Sequence, residues 1–320
     1  MLTYEKASRS PKVFKAIAGM SPQQFDSLYA EVAKLYGEAE FARLNSRSRK
    51  RGVGAGRRFA LDLRERLFML LFYYRTYVTQ ILVGLVFSVG QATVSRDIAN
   101  LEPVVKRCIP LPEKMHMAAN KAKTVEDLEE IIPGLAVLID ASEQQIYRPQ
   151  DNQTQKKYYS GKAKRHTMKT QYTTTYDGLI VHKSTSVEGS KHDFALFKQD
   201  NAAFPADLPH SADAPQGSGG RTRTIDIGDS AYTGMQKQYP DRDVRTSIKR
   251  KPGKKLTPAE KEYNKALAKI RIFVEHAIRR VKVFRVMGDR YRNPRKKYAI
   301  INDIVCGLVN LMRLWERAAT

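Results

Sequence analysis

Two kinds of hydrophobic pattern divide the chain. In its first third, apolar residues recur at the spacing of one helical face, beginning with Phe25 to Leu35 after the helix-start signal Ser21-Pro22. Further along, short continuous apolar runs suit buried strands, the clearest being Leu135–Ile139. Helical spacing then returns between Asn264 and Val286. The pattern predicts an all-helical part followed by a mixed α/β part.

Three helices are predicted between Leu61 and Leu101, and the last two resemble a helix-turn-helix. The first of these two would turn an apolar face to the core, made of Ile81, Leu82, Leu85 and Val86. After a turn at 87–90, the second would bury Val94, Ile98 and Leu101. This leaves short polar or basic side chains available to a DNA groove, namely Gln91, Thr93, Ser95, Arg96 and Asn100. A helical module used only for packing or dimerisation would show the same periodicity.

Strands and turns alternate through the middle of the chain. Strands are predicted at Gln144–Arg148, Thr167–Thr175 and Leu179–Ser186, and the hairpin signal Tyr176-Asp177-Gly178 joins the last two. A short helix is predicted over Phe194–Asn201, ahead of a further strand. With the strand at 135–139 and the late helix, this order fits a mixed sheet flanked by helices.

Two aspartates stand where predicted strands end. Asp140 directly follows the run Leu135–Ile139, and Asp229 follows Gly228, where a second run breaks. Asp226, inside that second run, is the alternative to Asp229. Carboxylates from separate segments can share metal ions only if the fold gathers them, and carboxylate oxygens are ligands that Mg²⁺ prefers. The two aspartates therefore indicate a divalent-metal site for phosphodiester chemistry.

A third carboxylate lies on the predicted helix between Asn264 and Val286. The apolar face of this helix comprises Ile270, Phe273, Val274, Ala277, Val281 and Phe284. At about 100° per residue, Arg271, Glu275 and Lys282 project together, away from that face. A carboxylate flanked by cations suits a metal and a phosphate together. An exposed ion pair between Arg271 and Glu275 is the alternative interpretation.

The charge of the chain narrows the choice of partner. Its 56 Lys and Arg residues against 33 Asp and Glu give a net charge of +23, which favours a polyanion such as nucleic acid. The longest apolar run, Leu67 to Tyr74, is far short of the ~20 residues that span a membrane. Cys108 and Cys306 are too few for a disulfide framework. We therefore expect a DNA-binding protein of the cytoplasm with no membrane association.

Basic residues form two further clusters. The stretch Arg43–Arg58 has interleaved glycines and no acidic residue, and it predicts a flexible arm that binds phosphate through Arg49, Lys50, Arg51, Arg57 and Arg58. The second cluster precedes a strand expected beside Asp140 and would contact DNA through Lys162, Lys164, Arg165, His166 and Lys169. On the Glu275 helix, Arg279 adds a cation. A solvated linker and protective edge-strand lysines are the alternatives.

Taken in order, several motifs resemble those of bacterial insertion-sequence DDE transposases. They are Asp140-Ala141-Ser142-Glu143, the block from Tyr159-Ser160-Gly161-Lys162 to Gln171, Gly189 with His192-Asp193, Gly228-Asp229 with Tyr232 and Gly234, and Val274-Glu275-His276. The similarity covers roughly Phe59 to Asn310 and favours the subgroup that shares its catalytic domain with Harbinger-type transposases. In the wider group a tyrosine often stands at the position of Ala268, so this chain lacks that ring.

The resemblance implies an RNase H-like fold in which Asp140, Asp229 and Glu275 bind two Mg²⁺ ions, with Mn²⁺ able to substitute. It also implies cleavage at transposon ends and joining to target DNA by a homodimer in the bacterial nucleoid. We expect a helix and basic arm at 1–58, a helix-turn-helix domain at 59–110, a connector at 111–132 and a catalytic domain at 133–320, with loops near 204–221 and 249–257. A DNA-binding regulator and a nuclease that does not join ends are the alternatives.

Overall fold

The computed structural model describes residues 1–45, 59–200, 204–211, 222–250 and 252–319. The predicted basic arm, with Arg49 to Arg58, lies outside these residues, as does most of the predicted loop at 204–221. The chain divides into a helical unit and a sheet unit. The helical unit is Met1–Pro110 with Lys282–Asp289 and Arg295–Thr320, and the sheet unit is Leu111–Val281 with Arg290–Pro294.

Among the described residues, six helices open the helical unit. They are α1 (Tyr4–Ser8), α2 (Pro11–Ala18), α3 (Pro22–Asn45), α4 (Leu63–Thr76), α5 (Gln80–Phe87) and α6 (Gln91–Cys108). The rings of Tyr4, Phe14, Phe25 and Phe68 join the first four helices, with centroids 5.0 to 6.5 Å apart in stacked and edge-on pairs. This aromatic cluster is the centre of the unit's core.

The last two helices of this set form the predicted helix-turn-helix, but α5 faces the other way. Ile81, Leu82 and Leu85 are 67%, 42% and 76% exposed, so their assignment to the core was wrong. Six of the eight residues of α5 are apolar, and periodicity therefore could not choose its buried face. The buried face is set by a close backbone approach, because a Cβ atom at Gly84 would lie 2.5 Å from the carbonyl oxygen of Val89. In α6, the predicted burial of Val94, Ile98 and Leu101 is confirmed.

A buried ion pair holds α6 to its neighbours. Arg66 of α4 and Asp97 of α6 lie 3.0 Å apart, Nε to Oδ1, with side chains 1% and 5% exposed. The Arg66 guanidinium also donates to the Tyr36 hydroxyl oxygen of α3 at 2.6 Å, and its carbon lies 3.8 Å from the ring centroid of Phe59. One cation thus fixes α3, α4 and α6 together.

The described residues of the sheet unit contain further helices and nine strands. In chain order they are α7 (Pro112–Ala119), α8 (Val125–Ile131), β1 (Ala136–Gln145), α9 (Asn152–Tyr158), β2 (Tyr159–Ser160), β3 (Arg165–Thr175), β4 (Ile180–Lys183), β5 (Val187–Glu188), α10 (Asp193–Gln199), β6 (Ala206–Leu208), β7 (Thr222–Arg223), β8 (Ile225–Gly228), α11 (Met235–Gln238), β9 (Asp243–Thr246) and α12 (Pro258–Val283). Of these, α12 ends within the helical unit.

Seven of these strands form one mixed sheet, as expected for an RNase H-like domain. Its order is β2-β3-β1-β8-β9, and β4 and β5 also pair with β3. β1 runs antiparallel to β3 and parallel to β8, which is parallel to β9. The predicted strand at 135–139 and the start of that at 144–148 belong to one strand, since β1 continues through the polar residues after Asp140 and ends at Gln145, short of the predicted end at Arg148. This polar part of β1 stays in the sheet because β3 pairs with it as far as Gln145.

The final helices return to the helical unit as α13 (Arg285–Gly288) and α14 (Tyr298–Ala318). α14 buries Ile301, Ile304, Val305 and Leu308, and the side-chain amide of Asn310 donates to the carbonyl oxygen of Pro110 at 3.0 Å. The segment Arg295–Ala318 is long and apolar enough to cross a membrane by composition, but 56% of its apolar window is buried inside the protein. This burial is typical of a core helix.

We predict that Arg66→Met lowers the free energy of unfolding by about 3–5 kcal/mol, because it leaves the buried Asp97 carboxylate unpaired. Lys106→Met is the control in the same unit. It breaks the partly exposed pair with Asp303, 2.7 Å apart, and should cost about 1 kcal/mol or less. Chemical denaturation of both variants checks this prediction, and equal losses would contradict it.

Candidate active site

The parallel pairing of β1 with β8 brings two carboxylates to one edge of the sheet. The register pairs Leu138 with Ile227, so that Asp140 and Asp229 follow two residues later on neighbouring segments. Each carboxylate is oriented by a nearby backbone N–H. Ala141 donates to Asp140 Oδ1 at 2.8 Å, and Ala231 donates to Asp229 Oδ1 at 2.7 Å at the start of a 3₁₀ turn.

The electrostatics around Asp140 show which groups are close to it. Burial raises the pKa of Asp140 to about 6, and the negative charges of Asp229 and Asp193 push it in the same direction. The Arg271 guanidinium and the Ala141 N–H oppose this rise in pKa. Asp229, Asp193 and Arg271 thus lie close enough to Asp140 to act on its charge, and a further cation near this net negative group would stabilise it.

A buried tyrosine lies beneath these carboxylates. The hydroxyl of Tyr232 donates to Gln171 Oε1 at 3.2 Å, and both side chains are inaccessible to solvent. Burial raises the pKa of Tyr232 well above its ordinary value, and the charges of Asp193, Asp140 and Asp229 add to the rise. The phenol is therefore a neutral hydrogen-bond donor. Its role did not follow from the sequence, where Tyr232 was only part of a motif.

Asp226, the alternative to Asp229, lies in a different environment. Asp226 is 4% exposed, and its Oδ2 accepts a hydrogen bond from Arg242 at 3.1 Å, between β8 and the turn before β9. Burial raises the pKa of Asp226 to about 6, against the lowering effect of Arg242. Asp226 is thus part of a buried ion pair, whereas the charge of Asp229 contributes to the raised pKa of Asp140, and the choice of Asp229 as a metal ligand stays a prediction.

On α12, Arg271 is half-buried and Glu275 is exposed one helical turn further on. Arg271 Nε is buried, and within the described parts of the chain it has no hydrogen-bond partner. Across the same residues, no three His, Cys, Asp or Glu side chains lie close enough together to hold a metal ion. The structure therefore gathers Asp140 and Asp229 but leaves Glu275 outside their immediate group.

Burial on α12 mostly follows the predicted apolar face. Val274, Ala277 and Val281 are buried, as is Phe284 just after the end of the helix, but Phe273 is 42% exposed, so its predicted burial was wrong. Its ring instead meets that of Tyr176 edge-on, with centroids 6.2 Å apart. The predicted cations Arg279 and Lys282 are exposed, and Lys282 belongs to the helical unit.

The second basic cluster divides into two kinds of residue. Lys162, Lys164 and Arg165 are exposed, and His166 is half-buried with its ring 5.6 Å from that of Tyr159. Lys169 is buried instead. Its ammonium contacts protein carboxylates, so in this structure it is not open to a phosphate.

The polar side chains predicted for α6 lie on its accessible side. Gln91, Ser95 and Arg96 are exposed, while Thr93 and Asn100 are half-buried. The last two and Arg96 line a cavity of ≈ 510 Å³ that also touches Phe59, Ser88 and Gly90. A polar, basic helix surface next to an open cavity can accept a nucleic-acid backbone.

Comparison with known families agrees with this geometry. The family model described as DDE superfamily endonuclease matches residues 139–310. The chain belongs to this superfamily. A second family model, the helix-turn-helix of DDE superfamily endonuclease, matches residues 59–111. The resemblance to DDE proteins is confirmed, and the Harbinger-type subgroup stays a prediction.

One curated relative of this DDE superfamily member covers nearly the whole chain. It is the "Probable transposase for insertion sequence element IS702" of Microchaete diplosiphon, 29% identical over 316 residues, which are 96% of each chain. No solved structure matches the chain.

We predict a pH-dependent difference in stability between the metal-free protein and Asp226→Asn. The folded-state pKa of about 6 lies above the ordinary 3.8, so the protonated form of Asp226 is favoured by folding. Its stabilising contribution is complete below pH ~4 and is lost as the pH rises to about 6, by about 2–3 kcal/mol. Denaturation of both proteins between pH 4 and 7 measures the difference, and parallel profiles would contradict the prediction.

Proposed function

We propose that this protein is an insertion-sequence transposase that cleaves phosphodiester bonds at transposon ends and joins the freed 3′-hydroxyl to target DNA. The observation that carries the proposal is the pairing of β1 with β8, which sets Asp140 and Asp229 side by side next to Arg271. The helix-turn-helix match and the relative named as a probable transposase support it.

The residues present suit divalent ions. Asp140 and Asp229 supply hard oxygen ligands; burial raises the pKa of Asp140, the nearby negative charges of Asp229 and Asp193 add to that rise, and a bound cation would oppose it. These two aspartates would hold two Mg²⁺ or Mn²⁺ ions, with Glu275 as the third protein ligand. Two such ions supply activation of the attacking oxygen and stabilisation of the leaving oxygen.

Arg271 has a distinct role in this proposal. Its guanidinium lies near Asp140, and its buried Nε has no partner within the described residues, so it can donate to a phosphate oxygen. Glu275 follows four residues later on the same side of α12, at the spacing of one turn. A phosphate held by Arg271 would therefore lie within reach of a ligand at Glu275.

DNA would be bound by separate surfaces. The exposed side of α6, with Gln91, Ser95 and Arg96, would read the transposon end. Exposed cations on the sheet unit would hold backbone phosphates, namely Lys162, Lys164, Arg165 and Arg279. Because two transposon ends must be held together for joining, we expect a homodimer on DNA.

We predict that Asp140→Asn, Asp229→Asn and Glu275→Gln each lower the rate of end cleavage about 10³-fold or more. Each substitution keeps the size of the side chain and removes a charge that would hold an ion, and metal stabilisation is worth several kcal/mol in the transition state. A cleavage assay with end DNA and Mg²⁺ measures the loss. Asp226→Asn and Glu262→Gln are the matched controls, and both should keep activity close to that of the wild type.

Wild-type cleavage by Glu275→Gln would remove this glutamate from the site. Loss of activity in Asp226→Asn, with Asp229→Asn active, would reverse the assignment of the second aspartate. A pre-cleaved end tests joining separately from cutting. Robust hydrolysis without any joined product would show a nuclease rather than a transposase.

We further predict that Arg96→Ala weakens binding to end DNA by about 10-fold, because an exposed arginine on the recognition helix is removed. Competition with random DNA distinguishes a base contact from a phosphate contact. Lys12→Ala, which removes an exposed cation from α2, is the control and should change affinity little. Equal effects of the two variants would argue against recognition by α6.

A further inference from the structure

A buried lysine joins several segments beside the acidic residues. The Lys169 side chain of β3 is 8% exposed, and its Nζ lies 2.7 Å from Asp193 Oδ1 and 3.4 Å from Glu143 Oε1. It also donates to the carbonyl oxygen of Lys191 at 2.6 Å. One ammonium thus ties the first turn of α10 and the loop before it to β1.

The Glu143 carboxylate is held by a second contact. The hydroxyl of Thr167 donates to Glu143 Oε2 at 2.8 Å, and the carbonyl oxygen of Thr167 accepts from the N–H of Gly189 at 2.9 Å. A Cβ atom at Gly189 would lie 1.9 Å from Thr167 Oγ1, so no larger residue fits without movement. β5 and the loop that follows it therefore close tightly on the strand that carries Lys169.

This clamp, made of Lys169, Glu143, Asp193 and the Lys191 carbonyl, lies next to the active site. Glu143 is three residues beyond Asp140 on β1, so the two side chains leave opposite faces of the strand, and the clamp reaches the acidic residues through Asp193, whose charge is close enough to raise the pKa of Asp140. A buried charge network is a weak source of stability, since well-packed apolar residues are often as good or better. Its position beside the acidic residues points to a role in the site.

We propose that Lys169 is a positioning residue of the metal site: it holds β1 beside Asp140 against the first turn of α10 and keeps the Asp193 carboxylate engaged, away from the bound ions. The proposal rests on the proposed metal-dependent function. Without the ammonium, Asp193 is released as a competing oxygen ligand and the local negative charge rises. The metal ions then bind more tightly, but their altered positions support the joining reaction poorly.

Calcium binding to the full-length protein tests this proposal through Lys169→Met. Titration calorimetry of Lys169→Met with Ca²⁺ should show half-saturation at about one third of the wild-type concentration or below, because one nearby positive charge is lost. Joining of a pre-cleaved end with Mg²⁺ should fall about 10-fold or more. Lys169→Arg keeps the charge and should restore both values towards those of the wild type. The double variant Lys169→Met with Asp193→Asn should return Ca²⁺ half-saturation to the wild-type concentration.

Arg242→Met is the matched control, since it leaves the buried Asp226 carboxylate of the same sheet unpaired. It should lower stability without changing Ca²⁺ half-saturation. The same behaviour in Lys169→Met would overturn the proposal, because it would show a scaffold role only.

Hydrogen exchange needs neither metal nor DNA and separates the two proposals. Amides of residues 191–196 should exchange about 10-fold faster in Lys169→Met and at the wild-type rate in Arg242→Met. Unchanged exchange in Lys169→Met would rule out the clamp whatever the wild-type activity. A wild-type protein that neither cleaves nor joins end DNA would rule out the proposed function instead, with the exchange result left standing.

Discussion

The site depends on one constraint, the parallel pairing of β1 with β8. These strands lie far apart in sequence, and a one-residue slip in their register would turn either Asp140 or Asp229 to the opposite face. The register is held by apolar side chains on both strands, including Val137, Leu138 and Ile227, which are buried. The chemistry of the edge is thus determined by the packing of the sheet interior. The position of Asp226 within β8 has the same kind of consequence, because it directs the side chain into an ion pair.

Local patterns were sufficient for most of the elements. Apolar runs located β1 and β8, and periodicity located α6 and the buried side of α12, because burial forces a regular spacing on such segments. They were insufficient for α5, where nearly every residue is apolar and a glycine contact decides the buried face. Local patterns also ended the first strand at residue 139, before its true end. The polar second half of β1 is stabilised by pairing with β3, and no local sequence pattern reveals that pairing.

The acidic residues were proposed for a related reason. An aspartate at the end of a predicted strand is unusual enough to be noticed, and on this basis Asp140 and Asp229 were predicted as metal ligands, an assignment that stays a prediction. The surroundings were less accessible, since Asp193, Gln171 and Tyr232 meet only through the fold. Lys169 shows the limit most clearly: its neighbours in sequence are basic and polar, which indicated a DNA contact, yet β3 directs its side chain inward. Charge composition describes a surface only where the fold leaves the side chains exposed.

The buried pair of Arg66 and Asp97 has an evolutionary consequence. A change at either position alone leaves an unpaired charge beneath the helix that would read DNA, so lineages should rarely pass through single replacements. A simultaneous exchange for two apolar residues would be tolerated far better. The two positions should therefore be inherited as one unit while the exposed residues of α6 drift freely around them. Specificity for new DNA ends can then evolve on a surface whose support stays fixed.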